Sequence, residues 1–380
     1  MKILFILLAI LILLLMITVH EFGHYLAGKL LGFGIDEFSI GFGPKLFSRK
    51  KKNGEVFSIR LLPLGGYCAF TGETEEEKIL ATEKIKKEDV FNFEEEKKEA
   101  NQGDSAVKKL TFNEQKPWKR IIVLIAGGAF NLISAVLFSI IFIAVAGASK
   151  PTVSNVYQSV DSAVITSLET GDEIIEIDGY KIDFYHTLGK ALDGKKDGDV
   201  LDVVVSRNGE KVTLRVPLRK YFYDAKETVD GTETDVRKTA TGLGVALQYS
   251  KASVKEAFKY CIPYTGELSW SMIGAFGDMI TGKVHVTEIS GPIGTINQMA
   301  NFGMQNWRYL LLFLPLIAAN LGIFNLLPIP ALDGAKVVFT VIEWIRKKPV
   351  KREVESMIHF IGLVALLLLV VTVDLIGLFS

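Results

Sequence analysis

The run I-L-F-I-L-L-A-I-L-I-L-L-L-M-I-T-V-H-E-F-G-H, residues 3–24, decides how the chain is read. Residues 3–19 carry no Asp, Glu, Lys or Arg, and about 17–25 apolar residues suffice for a helix to cross a hydrocarbon core. The run passes without a break into His20-Glu21-Phe22-Gly23-His24. Residues four apart share a helix face, so His20 and His24 can offer two imidazoles to one metal ion. Glu21 stands beside them, placed to hold a water and take its proton. Ionisable groups at membrane depth are costly and point to function. A secretory signal would end in a small-residue cleavage site; none follows here, so the first span is expected to be retained.

Three further runs, 121–149, 309–332 and 356–373, also lack charged residues. With 49% hydrophobic residues and a mean hydropathy of +0.30, they exclude an ordinary soluble enzyme. The only cysteines are Cys68 and Cys261, which excludes a disulfide scaffold. Lys+Arg and Asp+Glu balance at 43 each, so nothing suggests nucleic-acid binding. Basic residues near span ends set orientation. Arg49, Lys50, Lys51 and Lys52 follow span one, Lys116, Lys119 and Arg120 precede span two, and Arg346, Lys347 and Lys348 separate spans three and four. Loops 30–118 and 333–355 are therefore expected in the cytoplasm, with both termini and the 150–306 region outside.

Two imidazoles need a third ligand, and topology narrows the search. His20 lies about 17 residues into the first crossing, roughly 26 Å at 1.5 Å per residue, near its cytoplasmic end. Spans one and three run in the same direction, so the cytoplasmic end of span three is its C-terminal end. There stands N-L-L-P-I-P-A-L-D-G, residues 325–334, and Asp333 is the only carboxylate between positions 289 and 342. Pro328 and Pro330 stop the helix and let a short carboxylate turn inward.

The remaining chain divides by composition. Residues 1–31 form span one, 32–70 a membrane-associated β element on the cytoplasmic side, and 71–118 a charged insert and linker. Within the insert, residues 73–104 hold 12 acidic residues and 6 lysines, which reads as a solvated segment. Span two is expected over 119–149, an extracytoplasmic β-rich domain over 150–250, and an amphipathic interfacial segment over 251–306. Span three covers 307–334, a cytoplasmic loop 335–355 and span four 356–378. In 54–70, Val56, Ser58 and Arg60 alternate with Phe57, Ile59 and Leu61, a strand pattern. Within the 150–250 domain, Val200–Val205 and Lys211–Val216 flank Arg207-Asn208-Gly209-Glu210, a hairpin signal. Gly171-Asp172-Glu173-Ile174-Ile175-Glu176-Ile177-Asp178-Gly179 is similar to the G-D-x-I-x-x-I-x-G stretch of PDZ domains.

The H-E-F-G-H at 20–24, the N-L-L-P-I-P-A-L-D-G at 325–334 and the PDZ-like region between them resemble the site-2 protease family of intramembrane zinc metalloproteases. The resemblance is to the bacterial regulator-of-sigma-E protease branch with a single PDZ domain. It extends over nearly the whole chain except 73–104. Ala335, where many relatives carry a second glycine, and Gly128, where a proline is common, depart from the pattern without removing a chemical group.

The resemblance implies a polytopic α-helical membrane protein of four transmembrane helices, with a catalytic core of spans 1–3, a PDZ-like insert and a membrane-proximal β element. It implies one Zn2+ held by His20, His24 and Asp333, Glu21 as general base, and Asn325, Asn131 and Asn320 as substrate-binding or oxyanion residues. Substrates would be single-span membrane proteins in a bacterial cytoplasmic membrane, such as anti-sigma factors or signal-peptide remnants, first cut by another protease. The PDZ-like domain would gate or bind them. A competing expectation is an inactive membrane-anchored PDZ scaffold with a structural metal site. His186, His285 and His359 fall outside any ligand spacing and are expected at surfaces or interfaces.

Overall fold

The computed structural model describes residues 1–72, 111–161, 166–229, 232–283 and 290–379. The acidic segment 73–104 and His285 lie outside the described residues. In chain order the elements begin with α1 (Lys2–Leu31), β1 (Ile35–Lys50), β2 (Val56–Phe70) and α2 (Pro117–Ala146). Then follow β3 (Ala148–Val156), β4 (Glu173–Ile177), β5 (Tyr180–Lys181), α3 (Leu188–Leu192), β6 (Val200–Arg207) and β7 (Glu210–Pro217). The series continues with β8 (Arg219–Val229), β9 (Thr232–Gly242), β10 (Val245–Lys251) and α4 (Val254–Ile280). It ends with α5 (Pro292–Gln305), α6 (Leu310–Leu326), α7 (Asp333–Arg346) and α8 (Arg352–Phe379). The chain forms two compact units, Met1–Val136 with Thr265–Ser380, and Leu137–Tyr264.

Among the described residues, four helices are long and apolar enough to cross a membrane: α1, α2, the stretch Trp307–Leu326 and the Arg352–Ile376 part of α8. Helix α4 is not one of them; it carries Lys255, Glu256, Lys259, Glu267 and Asp278 within its length. In the first unit, small residues set how closely the apolar helices approach. A side chain at Gly23 of α1 would meet the Ala126 carbonyl oxygen at 2.5 Å. One at Gly128 of α2 would meet the Gly322 carbonyl oxygen of α6 at 2.9 Å. Such backbone-to-backbone packing replaces the hydrophobic drive that lipid does not supply.

Strands β1 and β2 bend and pair repeatedly, so that Ser39 has a partner on each side, Tyr67 and Ser58. Phe70 seats against α1 where Gly28 leaves room; a Cβ there would lie 2.4 Å from its ring. The sheet is polar inside and apolar outside. Ser39 and Ser58 are buried while Phe42, Leu46, Phe47 and Leu61 are exposed. Arg60 gathers the inner face, donating to Glu37 at 3.0 Å, Ser39 at 3.1 Å and the Gly43 carbonyl at 2.9 Å. Burial alone would raise the Glu37 carboxyl, but hydrogen bonds from Ser58, Tyr67 and Arg60 hold it below the usual carboxylate range.

The third apolar run departs from its expected extent of 307–334. Helix α6 ends at Leu326 and Leu327 is extended, because neither Pro328 nor Pro330 has an N–H to continue it. Asp333 accordingly opens the next helix instead of closing the span. The segment 335–355, expected as a loop, is helical through Arg346. Val337, Val338, Val341, Ile342 and Ile345 recur at three- and four-residue spacing there, an amphipathic pattern too short to register as a span.

The second unit contains an antiparallel β sheet in the order β10-β3-β4-β6-β7, with β5 beside β4. Its core is aliphatic: Ile174, Ile177, Val203, Val205 and Val216 are fully buried, each contributing about 1.5–3 kcal/mol of hydrophobic stabilisation. The β6–β7 hairpin turns on Asn208 and Gly209, both at positive φ (54° and 88°), the two-residue turn that matches strand twist. Asp172 is buried and receives both Nε and Nη2 of Arg207 at 2.8 Å. These hydrogen bonds hold its carboxyl below the ordinary carboxylate range. A feature not anticipated within 150–250 is the separate β8–β9 ribbon, paired along its whole length from Arg219↔Gly242 to Val229↔Thr232.

Candidate metal centre

Helix α1 continues unbroken through the H-E-F-G-H motif because none of its residues competes for the backbone, and it stops only at Gly32, which takes the left-handed conformation (φ 81°). His20 and His24 therefore project one turn apart, with ring centroids 4.8 Å apart and planes at 84°. Their Nε2 atoms lie 3.2 Å from each other. Oδ2 of Asp333 lies 3.0 Å from the first and 3.1 Å from the second. Both histidines are 7% exposed. Among the described residues this is the only group of three His, Cys, Asp or Glu side chains whose donor atoms converge in this way.

Each ring is held from behind. His24 Nδ1 donates to the Val123 carbonyl oxygen at 2.8 Å, which leaves the Nε2 lone pair pointing at Asp333 and His20. Asn131, fully buried on α2, places its carboxamide 3.3 Å from His20 Nδ1. The amide's two ends are alike in shape; turned so that Oδ1 faces the ring, it accepts the Nδ1–H and its otherwise unpartnered buried Oδ1 is satisfied. Asn131 thus touches a histidine of the trio. Asn325 donates to the Leu321 carbonyl at 2.9 Å, one turn back on its own helix. Asn320 lies half-buried on α6.

Asp333 reaches the histidines through a tight connection. Leu332 is extended, Asp333 begins α7, and Gly334 is the only residue type that fits after it, since a Cβ there would lie 2.1 Å from the Leu327 carbonyl oxygen. Glu21 lies beside the trio at the edge of β2. The Cys68 N–H bonds to its carboxylate, and a Cβ on Gly66 would come within 3.5 Å of its Cγ.

Two contributors carried no ligand spacing in the sequence. One is the Val123 carbonyl, invisible because any residue supplies it. The other is Gly127, whose added Cβ would meet His24 Nε2 at 2.3 Å and His20 Cε1 at 2.7 Å. The Gly127-Gly128 pair inside an apolar run was the available signal, since glycine in a helix interior has a packing reason. His186 bonds to Asp183 at 3.0 Å in the other unit, and His359 bonds to the Ala331 backbone.

The profile of peptidase family M50 matches residues 8–369. The chain belongs to that family. It is 28% identical over 406 residues to the zinc metalloprotease RasP of Geobacillus kaustophilus, covering 93% of each chain. Proteins with zinc-metalloprotease names from Staphylococcus aureus (29% over 419 residues, 94% of each chain) and Fusobacterium nucleatum (27% over 372 residues, 97% and 96%) are similar along their whole length. The site-2 protease resemblance read from the two motifs is thus shown at the level of family, and the apolar helices make the chain a multi-pass membrane protease.

Gly127→Ala would force the two imidazoles apart. Its Zn2+ affinity, measured by chelator competition on the purified protein, should fall at least about tenfold, as when groups orienting a metal ligand are disturbed. An unchanged affinity would show that the histidines do not need this clearance.

Proposed function

We propose that this chain is a zinc-dependent intramembrane endopeptidase that holds one Zn2+ on His20, His24 and Asp333 and uses Glu21 as its general base. The convergence of three donor atoms within 3.0–3.2 Å carries the reading. Ligands about 2.0–2.2 Å from a tetrahedral zinc sit roughly 3.3 Å apart, so a few tenths of an ångström of expansion admits the ion. Two neutral imidazoles and a carboxylate are a donor set zinc accepts, and they leave a fourth position open. Bound there, zinc supplies Lewis acidity to a water and to the scissile carbonyl.

The chain's own residues do the rest. Glu21 takes the proton of the attacking water and returns it to the departing amide nitrogen, its carboxylate oriented by the Cys68 N–H. Asn131 and the Val123 carbonyl fix the rings of His20 and His24. Asn325 and Asn320, on the helix leading into Asp333, are assigned to the substrate backbone, Asn325 exchanging its bond to Leu321 for one to the substrate.

A transmembrane helix hides its carbonyls in i→i−4 bonds and must be extended before cleavage. The β1–β2 element, apolar on its outside and adjoining Glu21, suits pairing with an extended strand. By the basic-residue rule the site lies near the cytoplasmic face of a bacterial cytoplasmic membrane, with both termini and the 150–250 domain outside. That domain, PDZ-like in its G-D-E-I-I-E-I-D-G stretch, would screen single-span substrates already shortened by another protease. Anti-sigma factors and signal-peptide remnants fit this class, as in regulated intramembrane proteolysis.

Glu21→Gln should keep the zinc and lower turnover of a transmembrane reporter by about 10²–10⁴-fold, the usual worth of a general base; a variant as active as the parent would remove Glu21 as the base, and a zinc-loaded parent that cleaves no reporter would leave only a scaffold with a structural ion. Ile59→Pro breaks the strand ladder and should depress cleavage far more than zinc affinity, whereas equal losses would count against strand pairing. Deleting 151–250 should allow cleavage of full-length reporters, and continued dependence on prior cutting would rule out gating by this domain.

A further inference from the structure

The connection that delivers Asp333 has few backbone bonds of its own. Between Leu327 and Asp333, Pro328 and Pro330 have no N–H, which leaves those of Ile329, Ala331 and Leu332. The Ile329 N–H bonds to the Leu327 carbonyl at 2.7 Å and the Leu332 N–H to the Ile329 carbonyl at 3.1 Å, both inside the turn. The Ala331 N–H leaves it and donates to Nδ1 of His359 on α8 at 3.0 Å. Ala331 also has φ 79°, a left-handed conformation that residues with a Cβ adopt only when their surroundings hold them there.

Helix α8 is shaped to make this contact. Three residues on from His359, a Cβ on Gly362 would lie 2.3 Å from the Pro330 Cβ and 2.8 Å from its carbonyl, so the helix backbone is pressed against the turn. The His359 ring sits 5.7 Å from Phe339 of α7, fixed between the two helices. An Nδ1 that accepts a hydrogen bond carries no proton, so the ring is defined as the Nε2–H tautomer, and its Nε2 is buried without a partner.

We propose that His359 is a positioning residue of the metal centre: by accepting the Ala331 N–H it fixes the strained turn that aims the Asp333 carboxylate at His20 and His24. The fourth helix then belongs to the metal site, although it supplies no ligand. Only Leu332 stands between Ala331 and Asp333, so a rotation released at Ala331 is passed to the carboxylate through two peptide units at the start of α7. The inference rests on the proposed zinc site and adds to it a group outside the H-E-F-G-H and D-G motifs.

The test uses the full-length protein in lipid nanodiscs, with Zn2+ affinity from chelator competition and the visible absorption of the Co2+-substituted protein. His359→Phe keeps the ring and its packing but removes the acceptor; His359→Ala removes both. Each should weaken Zn2+ binding about 10–100-fold, the range for loss of groups that orient metal ligands, and alter the Co2+ band. His359→Asn places Oδ1 where Nδ1 sits and should restore affinity and spectrum to near the parent values; its contrast with whichever of Phe and Ala folds carries the test. Parent-like binding in the Phe and Ala variants, or binding by Asn as weak as theirs, would overturn the proposal. Asp333→Ala in parallel separates the two readings: if it does not reduce Zn2+ affinity in the parent, the zinc site itself is wrong.

Discussion

Polar atoms taken into an apolar environment must satisfy one another, since no water is at hand to do it. His20, His24 and Asp333 are the hard case: two imidazole lone pairs and a carboxylate oxygen converge within 3.2 Å, three acceptors that a shared cation would satisfy and that cannot satisfy each other. Each histidine spends its second nitrogen on a group of α2, the Val123 carbonyl or Asn131. The carboxylate arrives from a proline-broken turn because a continuous helix would have carried Asp333 past the histidines.

That requirement explains the glycines. Helices α1, α2 and α6 approach so closely that Gly23, Gly127, Gly128 and Gly322 face backbone or histidine atoms where a methyl group would collide. The same economy appears at Gly334 and Gly362, which let the Asp333 turn lie between the end of α6 and α8. The β1–β2 sheet follows an inverted version of soluble-protein logic. Its Glu37–Arg60–Ser58 network is inside while Phe42, Leu46, Phe47, Leu61 and Leu62 are outside, an arrangement that suits an apolar surrounding.

Local pattern was readable wherever local physics decides the outcome. Four uncharged runs mark the apolar helices because hydrocarbon tolerates no charge over that length, and Asn208-Gly209 marks its hairpin because both residues accept positive φ. The helix Asp333–Arg346 and the β8–β9 ribbon escaped notice. The first is a short amphipathic helix behind two prolines, and the second lies within a region whose composition marks a β-rich domain without marking how its strands divide between sheets.

From the chain of letters alone came the family, the two imidazoles on one helical face and the carboxylate at a matching depth, since helix period and span parity are properties of sequence. Tertiary structure alone decided what stands behind the ligands: a carbonyl at Val123, the empty space of Gly127, the amide of Asn131 and the ring of His359. Those partners lie tens to hundreds of residues from the groups they orient, and they act through a backbone oxygen, a missing side chain, an amide and a ring. Such contacts leave no periodic trace, because they depend on how helices meet and not on the order of residues within any one of them.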